Sequence, residues 1–226
     1  MRILGIDTST KYAGISIVED GEVLAYSSLK FKATHSEKLL PELVHLLGIM
    51  EIPLETIDYY AITVGPGSFT GLRVGVSTIK GLSYVTGKMV IPLSTLEVIA
   101  RGFPHVELQI CPILDARRKE VYAALFKWDG EKLLRLKNDS VLSVDALMDW
   151  IKDKTIFTGD GIDVYRDQIE KNLSMKAIFT KSYYSIPSPM IVALMGYEKA
   201  KSGQVISAKD LLPLYLRKSE AEIKFG

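Results

Sequence analysis

Residues 3–29 read ILGIDTSTKYAGISIVEDGEVLAYSSL. Ile3-Leu4-Gly5-Ile6 is a short apolar run, the pattern of a buried strand, and it delivers the polar loop Asp7-Thr8-Ser9-Thr10 at its carboxyl end. Tyr12 to Val18 alternates, Asp20-Gly21 supplies a hairpin turn, and Glu22 to Leu29 returns, which makes a three-stranded meander. The order recurs further on. Cys111 to Leu114 ends in Asp115, Val121 to Trp128 is a strand, Asp129-Gly130-Glu131 matches Asp20-Gly21-Glu22, and Leu133 to Leu136 returns. Two meanders with matching strand-end acids and matching turns predict a duplicated α/β architecture with a boundary near residues 100 to 106, drawn as 1–103 and 104–226.

Between the meanders, Leu39, Leu40, Leu43, Val44, Leu46, Leu47 and Met50 fall on one stripe of a helix from His35 to Met50. Pro41 fits only near a helix start, so either the first turn begins late or the helix bends there. Tyr59 to Val64 is a second buried strand, closed by Gly65-Pro66-Gly67-Ser68-Phe69-Thr70-Gly71, and a helix follows through Val85. That helix carries a narrow polar stripe of Arg73, Ser77, Lys80 and Tyr84, with Leu72, Val74, Val76, Ile79, Leu82 and Val85 around the rest. A helix apolar on most of its circumference is covered first by its own sheet and then by a second surface, an interface signal. The second half adds a helix over Val144 to Lys152, a strand Thr155 to Thr158 ending in Gly159-Asp160-Gly161, and a helix from Ile162. Ser188-Pro189 then opens an apolar helix of core character, and Pro213 to Arg217 is an extended tail.

Composition bounds the function. The 226 residues hold 28 Lys+Arg against 27 Asp+Glu, a net charge of +1, and 47% hydrophobic side chains. That is a globular chain with no global field for polyanions, so any nucleic-acid contact rests on a local basic face or on a partner. The lone Cys111 excludes an internal disulfide and suits a reducing compartment. Met1-Arg2 runs directly into a strand, and no apolar stretch approaches the ~18 residues of a membrane span. A cytoplasmic protein without membrane contact is expected.

The loops admit two readings each. Asp7, Thr8 and Ser9 offer a carboxylate and donors suited to phosphate or Mg²⁺, or form a turn that caps a strand. Gly65, Gly67 and Ser68 open a strand-to-helix turn where backbone approaches either a ligand or its own sheet. No Gly-x-x-x-x-Gly-Lys-Ser/Thr occurs, and Gly-x-Ser-x-Gly would need glycine at 66 and 70, where Pro66 and Thr70 stand. His35, His45 and His105 lack the three- to five-residue spacing of metal ligands on a helix, so no metal site is expected. Arg117-Arg118-Lys119 after Asp115 is a basic turn, either solvated or touching phosphate or a partner.

Taken together, ILGIDTST at 3–10, His35-Ser36-Glu37 leading to Leu39-Leu40-Pro41, GPGSFTGLRVG at 65–75, Lys80-Gly81-Leu82, Asp115-Ala116-Arg117-Arg118 with Glu120-Val121-Tyr122, and Pro213-x-Tyr-Leu-Arg217 closely resemble the bacterial TsaB (YeaZ) family over essentially the whole chain. The resemblance implies an actin/Hsp70-like fold of two related domains, and a role in making N6-threonylcarbamoyladenosine at position 37 of tRNAs that read codons beginning with A. It implies a non-catalytic partner of the paralogue TsaD, acting with the ATPase TsaE and with tRNA, and a homodimer when TsaD is absent. TsaD carries paired metal-binding histidines on a helix downstream of its Gly-Pro-Gly segment, where this chain has Ser94-Thr95-Leu96-Glu97 to Arg101. The partner or dimer surface is expected at His35, Leu39, Leu40, Leu43, Leu47, Leu72, Val76, Ile79 and Lys80, and tRNA or partner contact at Asp115, Arg117 and Arg118. No cofactor is required of this chain. Actin-like ATPases usually present Asp-x-Gly in the second domain, whereas Asp115-Ala116-Arg117 would crowd a nucleotide. Gly159, Asp160 and Gly161 remain as a remnant of the adenosine side, with ATP binding weak or at the interface of a complex. Two other readings stand beside this one: an autonomous actin-like ATPase, and, on the label some relatives carry, a glycoprotease for which the chain lacks ligands, base and nucleophile.

Overall fold

The computed structural model describes residues 1–30, 35–181 and 185–217, with the side chains of residues 35 and 36 outside that description. Two compact units result, one of Met1–Val98 with Pro187–Leu214, the other of Ile99–Ile186 with the segment from Tyr215. The division falls at Val98/Ile99 rather than at 103/104, and one late helix belongs to the first unit.

In the first unit, β1 (Arg2–Asp7), β2 (Tyr12–Glu19) and β3 (Glu22–Lys30) form the expected meander. Its turn residues Asp20 and Gly21 stand at φ 50° and 89°, the left-handed pair that a two-residue hairpin requires. Helix α1 (His35–Ile49) carries Pro41 inside it, and β4 (Tyr59–Gly65) lies parallel to β1. Helix α2 (Phe69–Thr86) starts at Ser68, whose Oγ accepts the Gly71 N–H at 3.2 Å, and ends at Gly87 with φ 71°. Strand β5 (Met89–Ser94), which the pattern did not disclose, adds parallel to β4 and completes the order β3-β2-β1-β4-β5. Helix α3 (Thr95–Arg101) follows.

The second unit repeats the plan. Strands β6 (Gln109–Asp115), β7 (Glu120–Asp129) and β8 (Lys132–Ser143) form the antiparallel meander. After α4 (Val144–Met148), shorter than the expected run to Lys152, β9 (Thr155–Thr158) pairs parallel with β6. Helix α5 (Ile162–Leu173) leads to β10 (Ala177–Phe179), and the sheet reads β8-β7-β6-β9-β10. That is the order of the first sheet, strand for strand, as duplication demands.

The remaining helix, α6 (Pro189–Lys201), packs on β1, β2 and β4 of the first sheet. Its approach is close enough to need small residues on both sides. A Cβ at Gly5 would lie 2.7 Å from the Ala193 main-chain nitrogen, and one at Gly196 would lie 2.6 Å from the Ala61 Cβ. Ser16 Oγ donates to the Pro189 carbonyl at 2.5 Å, satisfying a hydroxyl buried in that seam. Leu39, Leu43, Leu46, Leu47, Val76 and Ile79 cover the opposite face of the sheet with Ile6, Ile15 and Tyr60. Cys111, Val121, Leu125, Leu147, Phe157 and Ile169 form the core of the second unit. No described helix is long and apolar enough to cross a membrane.

Candidate functional site

Asp7 stands at the end of β1 with its neighbours folded over it. Its Oδ1 accepts three hydrogen bonds, from the Ser9 N–H at 3.3 Å, the Ser9 Oγ at 2.6 Å and the Thr63 Oγ1 at 2.5 Å. Asp7, Thr8 and Ser9 are all at most 1% exposed. Burial pushes the Asp7 carboxyl up to about 6, against the opposing pull of the Ser9 and Thr63 donors. Thr63 was not among the expected site residues, although a threonine between Ile62 and Val64 in the apolar run of β4 is a visible signal.

The glycine turn closes this loop. Ser68 N–H donates to the Ser9 carbonyl at 2.7 Å, and Thr8 Oγ1 donates to the Gly71 carbonyl at 2.8 Å. A Cβ at Gly67 would collide with the Ser9 carbonyl, and one at Gly71 with the Thr8 carbonyl. The Ser9, Ser68 and Gly71 amides that a phosphate would need are thus engaged inside the unit. The structure brings Asp7, Thr8, Ser9, Gly67 and Ser68 together, with the glycines serving helix-on-sheet contact. Gly65, at φ 129°, packs against the Leu214 carbonyl, whose residue donates its N–H to Val64 O at 2.7 Å.

In the second unit, Gly159 (φ 100°) abuts the Ile113 carbonyl, which accepts the Gly161 N–H at 3.1 Å. Asp160 Oδ1 accepts the Asp115 N–H at 3.2 Å, so the two loops meet. Asp115 Oδ1 receives the Arg117 N–H at 2.9 Å and the Tyr165 hydroxyl at 3.3 Å, and Arg117 Nη1 lies 3.2 Å from Asp115 Oδ2. Arg217 Nη1 donates to Ala116 O at 2.8 Å and lies 3.2 Å from Glu120 Oε2. Arg217 and the Asp115–Glu120 turn are therefore one bonded assembly within the second unit. Beside it, a cleft of about 720 Å³ is lined by Asp163, Arg166, Asp167, Phe179, Thr180 and Lys181 among others. The Arg166 guanidinium lies 4.8 Å from the Phe179 ring centroid. Among the described residues, no group of three His, Cys, Asp or Glu is placed to hold a metal.

The helix faces need a correction. Leu39, Leu43, Leu47, Leu72, Val76 and Ile79, expected at a partner surface, are buried within this chain, none more than 9% exposed. The same apolar periodicity that marks an interface also marks a core, and the sheet takes these residues first. Lys80 is half-buried, and the His35 side chain lies outside the described residues. Leu40 is exposed, and with it Val44 on α1 (68%) and Tyr84 (91%) and Val85 (79%) on α2. Two helical glycines accompany them: Cβ atoms added at Gly48 and Gly81 would meet nothing within 4 Å. Leu40, Val44 and Gly48 share one face of α1 at i, i+4, i+8, and Gly81, Tyr84 and Val85 share one of α2.

One substitution therefore has opposite effects at different positions. Gly71→Ala should destabilise the chain by about 3 kcal/mol, because the Thr8 backbone must move. Gly81→Ala should stabilise it by about 1 kcal/mol, since a helical glycine in open space is replaced. Urea unfolding of the two variants measures both.

The family model for "TsaD: tRNA N6-adenosine threonylcarbamoyltransferase" matches residues 29–225. The tRNA threonylcarbamoyladenosine biosynthesis protein TsaB of Bacillus subtilis (strain 168) is 30% identical over 228 residues, spanning 100% of this chain and 98% of that protein. The protein of the same name from Haemophilus influenzae is 27% identical, spanning 96% and 94%. Among solved structures, YeaZ from Pseudomonas aeruginosa superposes with a TM-score of 0.80 at 23% identity, covering 95% of this chain and 99% of that one. With its two sheets of equivalent strand order, the chain has the actin/Hsp70-like fold. It belongs to the TsaB (YeaZ) family of tRNA threonylcarbamoyladenosine biosynthesis proteins.

Proposed function

We propose that this chain is the non-catalytic partner of a TsaD-type threonylcarbamoyltransferase, supporting transfer of the threonylcarbamoyl group to adenosine 37 of ANN-decoding tRNAs. The observation that carries this reading is the pair of open helical glycines, Gly48 and Gly81, set among exposed Leu40, Val44, Tyr84 and Val85. Each glycine costs its helix about 1 kcal/mol relative to alanine with no contact inside the chain to require it. A second backbone approaching α1 and α2 supplies the requirement, and the exposed apolar residues supply the buried area. The closed Asp7 loop supports the non-catalytic assignment, since its donors serve the chain's own backbone. TsaD is the expected occupant of the α1/α2 face and a second copy of this chain its substitute, with TsaE and tRNA joining through the complex and ATP binding weak or at that interface.

The test is threonylcarbamoyl incorporation into an ANN-decoding tRNA by TsaD, TsaE and a threonylcarbamoyl-adenylate source from the same organism, with and without this chain. Incorporation should depend on the chain, and the chain alone should incorporate nothing. Equal incorporation without it would overturn the reading. Steady Mg-ATP turnover by the isolated chain, abolished by Asp7→Ala, would favour an autonomous ATPase.

A further inference from the structure

The turn between β6 and β7 holds three consecutive non-glycine residues in the left-handed region: Arg117 at φ 65°, Arg118 at 53° and Lys119 at 64°. This backbone costs an L-residue about 1–2 kcal/mol, and glycine would adopt it freely. Three long cations stand there instead. The turn is braced from both sides. Asp115 Oδ1 takes the Arg117 N–H, Glu120 N–H donates to Arg117 O at 3.0 Å, Ala116 N–H donates to Glu120 O at 3.0 Å, and Arg217 holds Ala116 O and Glu120. Arg117 is partly neutralised by Asp115. Arg118 and Lys119 are exposed, and among the described residues neither their side chains nor their main-chain N–H groups have a partner. Two exposed cations, beside two amides without a partner among the described residues and on a turn braced by these bonds, make a preorganised anion contact.

We infer that the Arg117–Lys119 turn docks the phosphodiester backbone of the tRNA, with Arg118 and Lys119 each meeting a phosphate. The inference rests on the placement of the chain in tRNA modification. A protein of net charge +1 has no long-range pull on RNA, so its RNA contact has to be local, and this turn is local and rigid. The contact positions the RNA without reading bases.

The double variant Arg118→Gln/Lys119→Gln tests it, with the exposed lysine pair Lys154→Gln/Lys171→Gln as control. A labelled, unmodified ANN-decoding tRNA is titrated by fluorescence anisotropy, against the full chain alone and against the chain with TsaD and TsaE, over a series of KCl concentrations. Gel filtration of the same samples reports association with TsaD. Loss of two phosphate contacts should weaken tRNA binding about ten-fold or more near 0.1 M salt and make log K against log salt shallower by about 1.4 to 1.8. The control pair and TsaD association should be unchanged. Wild-type affinity and slope in the double variant would overturn the inference. So would lost TsaD association with unchanged tRNA binding, which makes the turn a protein contact, or displacement of tRNA by millimolar inorganic phosphate, which makes it a free-phosphate site. If the wild-type chain fails to join TsaD, the partner reading falls while the titration of the chain alone still decides the turn; no tRNA binding there overturns it.

Discussion

Val44→Asp is expected to weaken association with TsaD by about 30-fold or more while leaving the melting temperature of the free chain unchanged. Leu43→Asp, one residue earlier, is expected to leave no folded chain to test. The two side chains point to opposite surroundings, Val44 being 68% exposed on the outer face of α1 and Leu43 2% exposed over the sheet. An aspartate at 44 stays hydrated until a partner covers it, and the desolvation then falls on the complex, commonly about 2–5 kcal/mol. At 43 the same cost falls on folding, against a total stability of about 5–15 kcal/mol. Val76→Asp should behave like Leu43→Asp, because Val76 is also core. Leu43 and Val76, which the resemblance puts at the partner surface, therefore report on folding. Paired thermal melts and isothermal titration against TsaD decide the matter, and a Val44→Asp chain that binds like wild type would remove α1 from the interface. Light scattering of the variant alone extends the test to self-association, which should be lost in parallel.

The Asp7→Asn variant should change the pH dependence of stability. With the folded-state carboxyl pushed up to about 6 from an ordinary 3.8, both states are protonated below about pH 4, and the buried acid then costs nothing extra. Between about 4 and 6 the unfolded chain releases its proton while the folded chain keeps it, so stability falls as pH rises. Above that window the penalty is constant at about 3 kcal/mol. Asparagine keeps an acceptor for Ser9 and Thr63 and has no charge to bury. The stability difference between Asp7→Asn and wild type should therefore move by about 3 kcal/mol in favour of the variant between pH 4 and pH 7.5, read from urea unfolding at each pH. A pH-independent difference would show that Asp7 is solvated or otherwise compensated.

The duplicated meander was legible because its signals are local: strand-end Asp7 and Asp115, and the turns Asp20-Gly21 and Asp129-Gly130, lie within a few residues of what they organise. Strand β5 was not, since Pro92 in its middle reads against a strand. The structure resolves this by placing β5 at the sheet edge, where a missing N–H is tolerated. In β8, Asn138-Asp139 resembles a turn, yet pairing continues past it with register shifts opposite Ala123 and Leu125. The site shows the same division. The Asp7 loop and the glycine turn were each visible as a polar loop closing an apolar run, whereas the sealing of one by the other depends on contacts between residues some sixty positions apart. The outward residues of α1 and α2 were obscured because apolarity alone does not say which side the sheet occupies. Gly48 and Gly81, glycines inside helical patterns, were the sequence-level clue to the outer face.

The origin of α6 sets an order of events during synthesis. Residues 99–186 contain every strand of the second unit and leave the ribosome before Pro189, so its sheet can form while the first unit still lacks α6. Until α6 emerges, the face of the first sheet carrying Ile3, Ala61, Ile91 and Leu93 lacks its cover. The unit whose synthesis begins first therefore waits for a helix made near residue 200, and a nascent chain stalled ahead of residue 189 presents an apolar sheet surface to chaperones and to other chains.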